Sequence, residues 1–218
     1  MIQDKLKKIF ARFYVMDPEP NNPPAKTRQG SEYKSLVSVV LSAQTQDKRT
    51  ALASKQLFSV IQTPFDLIKL SQEEIVELIR PVGMYNNKAK NIRKMAEYLI
   101  EHYDGAVPKT REELLKIPGV GRKSTDIMMR FVYGEDAIAV DTHVRRICYR
   151  LGLGHKDEAN HIADILEKYT PQKYKWGAHE WLIEYGKYVC SSRKPKCDQC
   201  MLVDLCERRG VHTPITVV

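Results

Sequence analysis

The sequence has no long apolar run. Its longest uncharged stretch, Ser35 to Gln46, holds twelve residues, short of the roughly 20 that a membrane-crossing helix needs. The start, Met1-Ile2-Gln3-Asp4-Lys5, lacks a secretory apolar segment and carries an early acid. No targeting segment is visible, and the expected location is the cytoplasm. Glycine and proline stand at 11 each, which excludes collagen-like and low-complexity chains. Alternating strand patterns are almost missing; Ala137 to Val140 is the one short candidate, for strand or plain loop. There is no repeat of fixed period. Cysteines number five, and an odd count without a leader argues against a disulfide framework and for a reducing compartment.

What is present is basic and globular. Over 218 residues, 35 Lys and Arg face 27 Asp and Glu, a balance of +8 with a pI of about 9.2. Hydrophobic residues make up 43% and charged ones 28%, enough for one domain or two small ones. The positive balance suggests a polyanionic partner.

The chain reads helix after helix. Ser71-Gln72-Glu73-Glu74 has the form of a capping box, with Ile75, Leu78 and Ile79 behind it and Gly83 as the expected stop. Ala89, Ile92, Ala96, Leu99, Ile100 and Tyr103 mark one face of a long helix that Asp104-Gly105 ends. Thr110-Arg111-Glu112-Glu113 opens a short helix that Pro118 closes, and another runs from about Arg122 to near Gly134. Further apolar faces fall at Val144 to Leu151, Ile162 to Tyr169 and Ala178 to Tyr185; Leu36 to Leu41 and Ala51 to Ile61 read as buried helix. Asp17 to Arg28, with four prolines, reads as a linker.

The most informative stretch is Ile117-Pro118-Gly119-Val120-Gly121-Arg122-Lys123. A short helix ends, two glycines permit close approach, and a new helix begins with free amides and the positive end of its dipole. Such a turn can grip a phosphate through its backbone, with Val120 anchored in the core, and it reads backbone rather than sequence. It can equally be a plain helix connection. Lys123 is either a solvated lysine or a nucleophile, and a nucleophile needs its pKa lowered from about 10.4 by desolvation or positive neighbours. In Val140-Asp141-Thr142-His143, Asp141 stands where a helix starts, as an N-cap or as a catalytic carboxylate. His143 reads as a surface or phosphate-contacting residue.

Cys190, Cys197, Cys200 and Cys206 fall in one short loop. Structural zinc sites favour two close pairs of ligands, and only Cys197 and Cys200 are close; the spacing favours an iron–sulfur cluster over zinc. Arg193, Lys194 and Lys196 lie between ligands as a phosphate grip or as balance for an anionic cluster. Cys148 sits on an apolar face and reads as core.

Leu41-Ser42-Ala43-Gln44, Gly83 to Ala89, the glycine hairpin with Lys123, Val140 to His143 and the four-cysteine loop together resemble the endonuclease III family of helix-hairpin-helix DNA glycosylases. The match runs in order over nearly the whole chain. It implies an all-α fold of two helical domains with a cleft between them. One is a six-helix barrel over residues 25–135. The other is a discontinuous domain, residues 1–24 and 136–218, holding a [4Fe-4S] cluster on Cys190, Cys197, Cys200 and Cys206. The resemblance implies a bifunctional DNA glycosylase/AP lyase acting on oxidised pyrimidines or abasic sites in double-stranded DNA. Lys123 would attack C1′ from the mouth of the cleft, with Asp141 opposite.

Family positions also imply that Gln44 fills the gap left by the extruded nucleotide and that Met84 pushes from the other side. Gly119, Val120, Gly121, Arg193, Lys194 and Lys196 would hold the DNA backbone. Lys88, Lys90, Arg93 and Lys94 add positive charge. The expected state is a monomer at the nucleoid of a prokaryotic cell. The chain departs from the family pattern at Ser124, Thr125 and Asp126; the last puts a negative charge one turn from Lys123, which bears on lesion preference. The alternatives are a monofunctional mismatch glycosylase, which lacks the lysine, and a non-enzymatic DNA-binding iron–sulfur protein.

Overall fold

The computed structural model describes residues 1–20 and 31–211. Most of the expected linker, residues 21–28, lies outside the described residues. The chain divides into two compact units, Met1–Pro23 with Asp136–Val218, and Pro24–Glu135. Among the described residues every regular element is helical, and no helix is long and apolar enough to cross a membrane.

The central unit carries α2 (Glu32–Ser42), α3 (Asp47–Phe58), α4 (Pro64–Leu67), α5 (Gln72–Ile79), α6 (Tyr85–Tyr103), α7 (Arg111–Leu114) and α8 (Arg122–Phe131). The uncharged run noted in the sequence covers α2 from Ser35 onward and the turn that follows it. Helix α2 packs against α3, α6 and α8, and Tyr33, Leu36, Val37, Val39, Val40 and Leu41 are all buried. A helix surrounded on so many sides has no room for a charged face.

Capping chemistry sets the boundaries. Ser71 and Glu74 form a reciprocal box: Glu74 N–H donates to Ser71 Oγ at 3.1 Å, and Ser71 N–H to Glu74 Oε2 at 2.6 Å. A second full box, unforeseen, starts α4 at Thr63 and Asp66. At Thr110 only the forward bond forms, from Glu113 N–H at 3.3 Å, while the Thr110 hydroxyl donates to the Glu113 carboxylate at 2.7 Å. Helix α5 does not run to Gly83. It stops at Ile79, with Arg80 as its cap and Pro81 unable to continue the hydrogen-bond ladder.

The other unit joins the chain's two ends. It carries α1 (Ile2–Met16), α9 (Thr142–Arg150), α10 (Ala159–Tyr169) and α11 (Gln172–Tyr188), followed by two 3-10 turns, Cys197–Gln199 and Val203–Leu205. Helix α1 shows Leu6, Ile9, Phe10 and Phe13 on one face, all fully buried against α10 and α11. Phe13 stacks on Trp181 with ring centroids 6.3 Å apart, and Tyr185 meets Phe13 edge-on at 5.1 Å. The Trp181 indole N–H donates to Asp17 O at 3.0 Å, which fixes the end of α1. Residues 137–140 form no strand. They run as a buried loop, and Ala139 O lies 2.9 Å from His179 Nδ1.

Candidate functional site

In the central unit the hairpin between α7 and α8 is built by its two glycines in different ways. Gly119 has φ +81°, a left-handed conformation that a side chain strains, and an added Cβ would stand 3.1 Å from Asn91 Cβ. Gly121 has φ −99° and ψ 178°, ordinary extended backbone, and nothing lies within 4 Å of where its Cβ would be. The fold itself does not require a glycine at 121. Val120 between them is buried, and its N–H donates to Ile117 O at 3.1 Å.

Helix α8 starts at Arg122 without a side-chain cap. Its first bonded amide is Thr125, which donates to Gly121 O at 3.0 Å. The amides before it belong to the helix N-terminus, where the positive end of the helix dipole lies. Lys123 is exposed on this first turn. Asp126, one turn on, does not stand as a free negative charge beside it. Its carboxylate is 3% exposed and ion-paired with Arg111 of α7, with Arg122 Nε at 4.0 Å. Thr125 is fully buried, and its hydroxyl has no hydrogen-bond partner. Two of the three departures from the family pattern, Thr125 and Asp126, therefore face the packed interior of their own unit, while Ser124 is half-buried.

Gln44 and Met84 are solvent-exposed, and both take left-handed backbone, at φ +51° and +53°. Their two turns meet. Thr45 Oγ1 accepts from Gly83 N–H at 3.2 Å and from Lys88 Nζ at 2.7 Å. Gly83, expected as a helix stop, serves this close approach instead: a Cβ there would stand 3.3 Å from Gln44 O. The basic run expected to face a polyanion splits in two. Lys90 and Lys94 are exposed, whereas Lys88 is buried, and burial pulls its ammonium below the ordinary lysine range. Arg93 donates to Ile68 O at 3.4 Å and also to Leu70 O.

In the other unit Asp141 is the N-cap of α9. Its Oδ1 accepts from the N–H groups of His143 and Val144, each at 2.8 Å. Among the described residues Oδ2 has no hydrogen-bond partner. One oxygen of the carboxylate thus holds the start of the helix. His143 is half-buried, with Nδ1 3.2 Å from a guanidinium nitrogen of Arg146. Helix α11 passes so close to this turn that a Cβ on Gly186 would stand 3.0 Å from His143 O.

Helix α9 also grips the cysteine loop, through residues the sequence reading missed. Arg150, buried, donates to Ser191 O at 2.7 Å and Ser192 O at 3.0 Å, with Cys190 Sγ at 3.4 Å. Arg146 Nε donates to Cys190 O at 3.0 Å. The only sequence signal was arginine on a helix whose other face is core. From the opposite side Arg12 of α1 pairs with Asp204, with Nη2 2.7 Å from Oδ2.

Cys190, Cys197, Cys200 and Cys206 line one small pocket with Val189, Pro195 and Val203. Donors converge on the sulfurs: Tyr185 Oη lies 3.5 Å from Cys200 Sγ, and Arg208 N–H donates to Cys206 Sγ at 3.3 Å. Burial pushes the Cys190 thiol up, against the pull of Arg150. Among the described residues no three His, Cys, Asp or Glu side chains are grouped closely enough to hold a single metal ion. Arg193, Lys194 and Lys196 are exposed on the same loop. Cys148 is fully buried in the core, and burial raises its thiol pKa.

Comparison with known proteins gives one answer. Residues 37–172 match the family described as HhH-GPD superfamily base excision DNA repair protein. Endonuclease III of Escherichia coli is 38% identical over 207 residues, covering 95% of this chain and 97% of that protein. Endonuclease III of Thermotoga maritima is 37% identical over 214 residues, covering 96% and 95%. A solved structure of a trapped endonuclease III–DNA covalent intermediate matches with a TM-score of 0.83 and 36% identity, covering 94% of this chain and 96% of that one. A thermostable thymine-DNA glycosylase, at 23% identity and a TM-score of 0.79, shares the fold.

Proposed function

The chain belongs to the HhH-GPD superfamily and, within it, to the endonuclease III family of DNA glycosylase/AP lyases of base excision repair, and we propose that Lys123 and Asp141 carry its reaction on oxidised pyrimidines in duplex DNA. The observation that carries this reading is Lys123 itself: an exposed amine on the first turn of α8, directly after a hairpin whose Gly121 leaves open space. The hairpin's free amides and the exposed Arg193, Lys194 and Lys196 grip phosphates. The damaged nucleotide leaves the stack, since its sugar is out of reach inside the duplex. Gln44 and Met84 occupy the space it vacates.

Lys123 in its neutral form attacks C1′. The glycosidic bond breaks, and the base leaves with the bonding electrons and takes up a proton. The carboxylate of Asp141 activates Lys123 or stabilises the positive charge that develops at the sugar. Opening of the sugar ring gives a Schiff base. Loss of a C2′ proton then expels the 3′ phosphate by β-elimination, and hydrolysis frees the lysine. An abasic site enters as its open-chain aldehyde: Lys123 adds to C1′ and water leaves, giving the same Schiff base.

The four cysteines fit a [4Fe-4S] cluster. Cys190, Cys197, Cys200 and Cys206 would hold it through their thiolates, with Arg150, Tyr185 and the Arg208 N–H as hydrogen-bond donors to the sulfurs. A bound cluster supplies a rigid cross-link for the loop that carries the three exposed cations. The protein works as a monomer on the chromosome in the cytoplasm of a prokaryotic cell.

Borohydride trapping on a duplex containing thymine glycol tests the central step. A covalent protein–DNA adduct that Lys123→Gln abolishes is the expected result. No adduct, or undiminished trapping by Lys123→Gln, overturns the reading.

A further inference from the structure

Gln44 and Met84 come from different turns, yet one residue touches both. The backbone N–H of Lys88 donates to Met84 O at 3.0 Å, the first bond of α6. Its side chain crosses to the other turn and brackets Gln44, donating to Ala43 O at 2.6 Å on one side and Thr45 Oγ1 at 2.7 Å on the other. The third donation, to Leu41 O at 2.8 Å, caps the end of α2 from which the turn departs. All three ammonium protons are used. Thr45 completes the link: its hydroxyl takes the Gly83 N–H, 3.2 Å away, and gives its proton to Ala43 O at 3.3 Å.

Left-handed backbone at Gln44 and Met84 persists only because its surroundings over-determine it. Lys88 and Thr45 are those surroundings. A surface phosphate grip does not bury its ammonium under three internal acceptors, so the family-like run Asn86-Asn87-Lys88-Ala89 places Lys88 in a different role from Lys90.

We propose that Lys88 is a positioning residue, which sets Gln44 and Met84 in the mutual register needed to enter the duplex and hold the damaged nucleotide out. This assignment rests on the reading of Gln44 and Met84 given above. The lysine does not touch DNA. It fixes the backbone from which the two exposed side chains project.

Base extrusion reports on this directly. A 2-aminopurine placed opposite the lesion gives a fluorescence change as the stack opens. Lys88→Met keeps the length and apolar stem but removes the donors, and it is expected to slow that change by on the order of tenfold to a hundredfold. Lys88→Arg should recover part of it. Gln44→Ala added to Lys88→Met should cost little more than either alone, because both remove one device. Thr45→Val, which deletes the shared hydroxyl and leaves Lys88 in place, should give the same signature at smaller amplitude, and it serves if Lys88→Met does not fold.

A stable Lys88→Met or Thr45→Val protein with normal extrusion, alongside impaired Gln44→Ala and Met84→Ala, overturns the positioning role. So do multiplicative effects in the double variant, which mark plain structural weakening. Normal extrusion in Gln44→Ala and Met84→Ala overturns the parent reading instead.

Discussion

Arg111 holds the buried carboxylate of Asp126, so that the helices on either side of the hairpin are tied to each other as well as joined by it. The pair fixes the angle at which the first turn of α8, with Lys123, leaves the hairpin. A carboxylate that is 3% exposed cannot lose its main partner cheaply. Arg111→Met should destabilise the protein by about 2–3 kcal/mol. Adding Asp126→Ala should restore much of that loss, because the stranded charge is gone. Chemical denaturation of the two variants checks both numbers.

The two hairpin glycines should fail differently. Gly119→Ala forces a side chain into left-handed backbone and against Asn91, at a cost of about 1–2 kcal/mol. Gly121→Ala meets no strain and no neighbour, so melting should be unchanged. On the proposed reading its Cβ would crowd a phosphate at the hairpin amides, and DNA affinity should fall about tenfold (~1.4 kcal/mol). Melting curves and a binding titration on the same two proteins separate the roles. Equal binding by Gly121→Ala and the parent protein would remove the hairpin from the interface.

Thr125 is a defect that can be repaired. Its buried hydroxyl has no partner, and Val has nearly the same shape and helix propensity. Thr125→Val should raise stability by about 1 kcal/mol, or the melting point by roughly 2–4 °C. A lower melting point would mean that the hydroxyl is satisfied in solution.

At Asp141 capping and catalysis can be pulled apart. Asparagine caps a helix as well as aspartate does but carries no charge. Asp141→Asn should melt within about 1–2 °C of the parent, while borohydride trapping slows by at least about tenfold. Asp141→Ala should also lose the cap, about 1 kcal/mol. Full trapping by Asp141→Asn would leave the residue as an N-cap alone.

Iron content distinguishes the cysteines. Cys197→Ala or Cys206→Ala should strip the iron and the visible absorbance near roughly 400 nm expected of thiolate-bound iron–sulfur centres. Cys148→Ala should keep both, losing on the order of 1 kcal/mol of packing. Zinc in the purified parent protein, with no visible absorbance, would reverse the assignment of metal.

Local chemistry was legible in the sequence. Ser71 and Glu74 announced their capping box because both partners lie within one turn, and the start of α8 at Arg122 followed from the glycines before it. Asp141 read as a cap or a catalytic carboxylate, and it caps α9 with one oxygen while the other is free. The cysteines stood out because soft ligands in one loop have few other uses. These are short-range signals, set by helix geometry and the valence of a side chain.

What lay beyond reach were the partners of long side chains. Lys88 belongs to a run of positive residues, yet it turns inward onto three acceptors between 43 and 47 positions away. Asp126 reads as a charge beside Lys123 until Arg111, 15 positions earlier, covers it. Arg146 and Arg150 hold a cysteine loop 40 or more residues on. A lysine or arginine spans several ångströms on a flexible stem, and its charge looks the same in sequence whether it faces water or a buried carbonyl. The amino-acid order determined which groups the protein has and where its helices start. Only the packing of those helices decided which charges are left for DNA and which are used to hold the protein in shape.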